Sequence, residues 1–265
     1  MVMKYLSLAA FAVLLTTATC RAEGQSSLFR GFYPCSDRGP SSVCVYGTIP
    51  RGKQVTVLAK GWKSSAAQKE HFSIESNDFQ TGIKTSTQLQ LAKPAPKDTS
   101  MIAILAAPET VNELALKEVQ DQALVERIGR YIKNTNALNL DPDIRILKTR
   151  LLRLSPTILL SETFLAPSRE DPAVWEKQLS AGCGVCENVP IVVGQTLEDL
   201  FKEIRSPTVN VESTCGGIEF AFAFSGRTYV VSSAEACESD SFSAALVHDL
   251  SGDKPKLVFE LSGGL

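Results

Sequence analysis

The sequence predicts an α+β protein, a mainly antiparallel sheet with one prominent amphipathic helix, disulfide-stabilised and preceded by a cleaved signal peptide. Three observations lead there. Short runs of β-forming residues alternate with clusters of turn formers, one stretch repeats its apolar residues at helical spacing, and the cysteines are placed for local bridges in an exported chain. The 265 residues are 44% hydrophobic and 21% charged, near ordinary globular values, so the chain can build an apolar core.

The first segment, Met1 to Ala22, has an early positive charge at Lys4, an apolar run from Leu6 to Leu15 broken only by Ser7, and then small and polar residues. That order is the layout of a secretory leader, with cleavage expected after Ala22. The alternative is lipidation of Cys20, which would anchor the chain to a membrane, although Thr17-Ala18-Thr19 is a poor approach sequence for it. A helix crossing a bilayer needs about 20 apolar residues, and no later stretch is comparably apolar, so no transmembrane segment is expected in the mature chain. The expected location is secreted or periplasmic, with a lipid anchor at Cys20 as the alternative.

Beyond the leader, Val43 to Tyr46 and Gln54 to Leu58 read as strands around the turn Ile49-Pro50-Arg51-Gly52. Turn-rich, β-leaning sequence continues to Leu91, and Lys93-Pro94-Ala95-Pro96-Lys97-Asp98 marks a candidate boundary. The organisation expected is a leader (1–22), a β-rich module (23–92) and an α+β region (98–265), the last two forming either one domain or two. Met101 to Ala106 has strand length. Thr110 with Glu113 fits a capping box, and apolar residues from Leu114 to Ile132 recur at helical spacings, which predicts a helix ending near Asn134. Ile144 to Leu154 and Thr157 to Leu165 are read as a hairpin, because the return run is rich in β-branched residues. Pro190 to Val193 is expected as a buried strand and Thr196 to Ile204 as a short capped helix. Ile218 to Phe224 and Thr228 to Ser232 form a hairpin about Ser225-Gly226-Arg227, and Phe242 to Leu250 with Lys256 to Leu261 another strand pair.

Of seven cysteines, Cys20 belongs to the leader, leaving Cys35, Cys44, Cys183, Cys186, Cys215 and Cys237. An even count in an oxidising compartment reads as disulfides. Cys35 and Cys44 flank a cluster of turn formers, and a hairpin centred near Gly226 would set Cys215 opposite Cys237, within disulfide reach. Elimination leaves Cys183 with Cys186.

That last pair forms a CxxC, the spacing of thiol–disulfide oxidoreductases. A redox enzyme would place it at a helix N-terminus, whereas here Glu187-Asn188-Val189-Pro190 and a strand follow, so a structural bridge is expected and a redox pair is the alternative. Zinc held by Cys183, Cys186, Cys215 and Cys237 would need a second close pair, which the spacing lacks.

Gly47 to Gln54 echoes a phosphate-binding loop, but Gln54 stands where the hydroxyl residue should be and Pro50 removes an amide, so it reads as a turn. Gly47 to Trp62 resembles the opening strands of small bacterial SH3-like barrels, over too short a stretch to imply a function. The only histidines are His71 and His248, too few for a multi-histidine metal site. On a strand, His248 and Asp249 would point to opposite faces, and His248 is read as a surface or strand-end residue. Glu219, Glu235, Glu238 and Asp240 gather around Cys237 as an acidic, solvated loop. A net charge of −2 gives no basic excess for a nucleic-acid partner, and Arg145, Lys148, Arg150 and Arg153 read as a solvated face.

The expected function is therefore an exported, non-enzymatic binding or interaction protein, an envelope accessory or inhibitor-like molecule, whose partner is another protein or an envelope component. No cofactor, metal or catalytic residue is assigned. The alternative is an exported thiol–disulfide oxidoreductase using Cys183 and Cys186.

Overall fold

The computed structural model of the chain describes residues 28–33, 41–75, 83–96, 100–134, 144–167, 187–193, 201–203, 214–215, 217–236, 243–253 and 255–263. These form three antiparallel sheets and one short α-helix. The fold is thus mostly β, which corrects the expectation of an α+β protein with a prominent helix.

The first sheet comprises β1 (Phe29–Arg30), β2 (Phe32–Tyr33), β3 (Ser42–Tyr46), β4 (Val55–Ala59), β5 (Trp62–Glu75), β6 (Ile83–Leu91) and β7 (Met101–Ile104). Its order is β1-β7-β4-β5-β6-β3-β2. The two outermost strands are consecutive in the chain, separated only by Gly31, whose carbonyl accepts a hydrogen bond from the Tyr46 amide at 3.1 Å. One extended segment therefore pairs with both ends of the sheet and closes it into a small barrel, removing the free edges that an open sheet exposes. Val45, Ile49, Val55, Val57, Leu89, Leu91 and Ala103 fill its interior. β7 lies beyond the proline-interrupted stretch 93–98 and completes this barrel by pairing with β1 and β4.

The second sheet holds β8 (Val111–Leu114), β14 (Thr214–Cys215), β15 (Ile218–Phe224), β16 (Arg227–Ala236), β17 (Ser243–Asp249) and β18 (Lys256–Gly263), in the order β18-β17-β16-β15-β8 with β14 also on β16. Ser225 and Gly226, with φ of 53° and 74°, form the two-residue turn joining β15 to β16; left-handed backbone at both positions matches the twist of a hairpin. The third sheet has the order β13-β12-β11-β10-β9, made of β9 (Lys117–Val119), β10 (Ile144–Arg153), β11 (Leu159–Pro167), β12 (Glu187–Val193) and β13 (Phe201–Glu203). The hairpin read from 144 to 165 is β10 and β11.

The helix, α1 (Gln122–Asn134), is shorter than its periodicity implies. Asp121 caps it, accepting from the Leu124 amide at 3.0 Å. The expected capping box is a 3-10 turn instead (Pro108–Thr110), with the Thr110 hydroxyl bonded to the Ala107 carbonyl. Val111 is fully buried in the core shared with β15, so residues 111–114 gain more as a strand than as a helical turn. The short helix expected at Thr196–Ile204 is also corrected, since Phe201–Glu203 pair with β12 as a strand.

The second sheet is the middle layer. On one face Phe220, Phe222, Tyr229, Val231 and Val247 pack against Phe29, Leu58, Ile102 and Ile104 of the barrel. On the other Ile218, Val230 and Leu250 meet Leu152 and Leu160 of the third sheet. A register shift between Ile218 and Phe220 puts these two residues, which strict alternation would place together, on opposite faces. Ile128 and Ile132 of α1 cover the far side of the third sheet against Leu151.

Apolar packing and sheet hydrogen bonds run throughout the described fold, and the three local disulfides expected are not seen among the described residues. No bridge joins two described cysteines. Cys44 is buried and disulfide-bonded. Cys215 stands opposite Glu235 and not opposite residue 237, because the β14–β16 register falls two residues short of the expected one. Cys35, Cys183, Cys186 and Cys237, as well as residues 1–22, expected as a leader, lie outside the described residues.

Phe222 contacts Phe29 and stacks on Tyr229, the ring centroids 6.2 and 5.0 Å apart. Phe222→Ala is expected to lower unfolding free energy by about 3–5 kcal/mol, measured by urea denaturation; an unchanged midpoint would show that barrel and middle sheet do not share one core.

Candidate functional site

Two groups of polar residues stand out against this apolar framework. The first lies between the middle and third sheets. Arg150 on β10 and Glu162 on β11 are register partners on the face that Leu152 and Leu160 turn toward the middle sheet. Their side chains form an ion pair, with Glu162 1% and Arg150 32% exposed. The other Glu162 oxygen accepts from the Ile218 amide at 2.6 Å, which links the third sheet to β15. The basic face expected at 145–153 is thus corrected at Arg150, while Lys148 and Arg153 are exposed. Nearby, the Ser233 hydroxyl donates to Glu219, and the Gly217 carbonyl accepts from the Ser233 amide at 2.9 Å. Glu219 is therefore tied to the sheet; Glu238 and Asp240 of the expected acidic loop are outside the described residues.

His248 and Asp249 do point to opposite faces. Val230, opposite His248, belongs to the core against the third sheet, and Tyr229, opposite Asp249, to the core against the barrel. At 2% exposure His248 is a core residue, which corrects its reading as a surface histidine. Asp249 is as deeply buried, pairs with Arg227 at 2.7 Å and accepts from the Ser251 amide at 2.9 Å. The Tyr229 hydroxyl is pushed to a higher pKa, first by burial and then by the Asp249 carboxylate, with Arg227 opposing. These are the bonds of a framework, in which each buried carboxylate is answered by a cation or a backbone amide.

The second group is at one end of the barrel. Arg30 is the register partner of Ala103, a barrel-interior residue, so its side chain starts on the interior face. Its guanidinium donates to the carbonyls of Phe29 at 2.7 Å and Thr48 at 3.3 Å. The Nε atom is buried with no hydrogen-bond partner, lying over Gly47, where a Cβ would come within 3.4 Å of it. Burial lowers the Arg30 pKa. Above it runs the connection from β3 to β4, in which Thr48, Pro50, Arg51, Gly52, Lys53 and Gln54 are exposed while Ile49 anchors the loop in the barrel core. The Lys53 amide donates to the Pro50 carbonyl at 3.2 Å with Gly52 at φ 76°, a type II turn and not a phosphate-binding loop.

Composition and net charge conceal this second group. From Arg38 to Lys69 the chain carries Arg38, Arg51, Lys53, Lys60, Lys63 and Lys69 and no aspartate or glutamate at all, although the whole molecule is slightly acidic. A charge count by segment would have found it. Lys63 is the member with an internal role, donating to the carbonyls of Pro108 at 2.9 Å and Val111 at 2.8 Å.

Among the described residues no group of three or more His, Cys, Asp or Glu is arranged to hold a metal ion, and no helix is long and apolar enough to cross a membrane. No protein-family model matches the chain, and neither curated proteins nor solved structures give a match.

Two outcomes are expected from the buried pairs. Glu162→Ala strands a half-buried guanidinium and the Ile218 amide and should cost about 2–4 kcal/mol in urea unfolding, while Arg150→Met combined with Glu162→Leu should recover most of it. An undiminished midpoint for Glu162→Ala would remove the pair from the account of stability. Tyr229 holds its proton more tightly when folded, so its contribution is complete below the ordinary tyrosine pKa of 10.0 and is lost as pH rises through the higher folded value. Tyr229→Phe should blunt the alkaline fall in stability, and identical alkaline profiles for variant and parent would refute this.

Proposed function

We propose that the chain is an exported, non-enzymatic binding protein, working outside the cytoplasm on another protein or an envelope component. The observation that carries this reading is the contrast between its two kinds of charge. Glu162 and Asp249 are engaged in internal bonds that join strands and sheets. The barrel instead presents an acid-free stretch with exposed Arg51 and Lys53 over an arginine without a carboxylate partner among the described residues. Charge displayed on a rigid scaffold and not used by the fold is what a recognition surface requires.

Export is part of the proposal and rests on the order of residues in 1–22 and the even cysteine count that follows. Expressed with its leader in a cell that has an oxidising export compartment, the protein should be recovered with Glu23 as its first residue and with six thiols blocked to alkylation until it is reduced. The Cys183–Cys186 disulfide should resist reduction at glutathione-level potentials. Rapid alkylation of Cys183 alone in a mildly reduced sample, with Cys186 resolving a mixed disulfide, would overturn the binding-protein reading in favour of an oxidoreductase.

A further inference from the structure

We propose that the loop end of the barrel, with Arg30 at its base and Arg51 and Lys53 on the loop above, is a docking site for an acidic segment of a protein partner. A carboxylate of that partner would supply the counter-charge that Arg30 lacks among the described residues. This deepens the reading of the chain as a binding protein by naming a surface and the chemistry that fits it.

The argument starts from the state of Arg30. A guanidinium has five N–H donors in a fixed plane and stays charged. Here one Nη1 hydrogen bonds to the Phe29 carbonyl, one Nη2 hydrogen to the Thr48 carbonyl, and Nε has no acceptor. Carbonyls orient the group, and among the described residues no carboxylate pairs with its charge in this partly desolvated place, a costly arrangement unless something else neutralises it. Arg150, by contrast, meets a carboxylate within the fold, that of Glu162. A carboxylate brought to Arg30 would meet donors already fixed by two backbone bonds, so little ordering would remain to be done on binding.

The surroundings select the partner. The loop above Arg30 is held by Ile49 in the core and by the Pro50–Lys53 turn bond, and it presents two cations with no acid between residues 38 and 69. A nucleic-acid backbone is repetitive and needs a longer row of cations to release its counterions, which a chain of net charge −2 with two exposed cations at this loop does not offer. An anionic bilayer usually needs an inserted apolar group besides charge, and the one aliphatic side chain of this loop, Ile49, is 2% exposed and points into the barrel. A peptide segment with one carboxylate for Arg30 and further acids for Arg51 and Lys53 matches the number of charges.

The test is fluorescence anisotropy on the mature protein with a labelled peptide of alternating glycine and glutamate, against the same peptide with glutamine for glutamate. A single-stranded oligonucleotide and phosphatidylglycerol vesicles serve as competing probes. The glutamate peptide should bind, the glutamine peptide should not, and binding should weaken as salt rises past about 0.1 M. Arg30→Gln and, separately, Arg51→Ser with Lys53→Ser should each weaken binding about tenfold or more. The double substitution lies on exposed residues outside the core, so it stays decisive even if Arg30→Gln impairs folding by circular dichroism. Equal binding by the parent and the double variant, or preference for the oligonucleotide or the vesicles, would overturn the proposal. Either result would retire this surface alone, because the wider reading is judged by the thiol measurements.

Discussion

Burial of the middle sheet on both faces is the constraint on which the rest of the molecule depends. A sheet covered on one side alternates apolar and polar residues, whereas one covered on both must carry apolar side chains in each direction. β15 and β16 meet this demand with Phe220, Phe222, Tyr229 and Val231 toward the barrel, and Ile218 and Val230 toward the third sheet. The irregularity between Ile218 and Phe220 makes it possible, since one extra residue changes which face the following side chains occupy. The barrel, the middle sheet and the third sheet thereby become parts of one packed body.

Charge follows the same geometry. Where two layers meet, ionisable groups are admitted only with partners, as Glu162 is with Arg150 and the Ile218 amide, and Asp249 with Arg227 and the Ser251 amide. Such pairs contribute less to net stability than to fixing which strands and layers lie together, because desolvation offsets much of their attraction. Arg30 follows a different rule, being half-buried at the barrel end and held, among the described residues, by carbonyls alone.

Local features were legible along the chain. The hairpin about Ser225 and Gly226, the pair formed by β10 and β11, and the strands β17 and β18 are each fixed by a turn and two neighbouring runs, so a short window contains what is needed. The N-terminal half of the expected helix was not legible. Residues 111–119 have helical spacing, but Val111 and Leu114 pair with a strand more than a hundred positions later, and that tertiary contact overrides local preference. His248 read as exposed for a similar reason, since its cover comes from layers distant in sequence. The basic end of the barrel was hidden by averaging, because acids elsewhere cancel the charge of residues 38 to 69.

By itself the sequence determined the hairpin about Ser225 and Gly226, the pairing of β10 with β11 and of β17 with β18, and that Asp249 and His248 face opposite ways. All of these depend on neighbours within a few positions. Tertiary structure decided how many faces each sheet must cover, that residues 29–33 close a barrel, that Arg150 is paired with Glu162, and that Cys215 stands opposite Glu235. Those outcomes depend on register and layer contacts between distant segments, where a shift of one or two residues moves a side chain to another face or another partner.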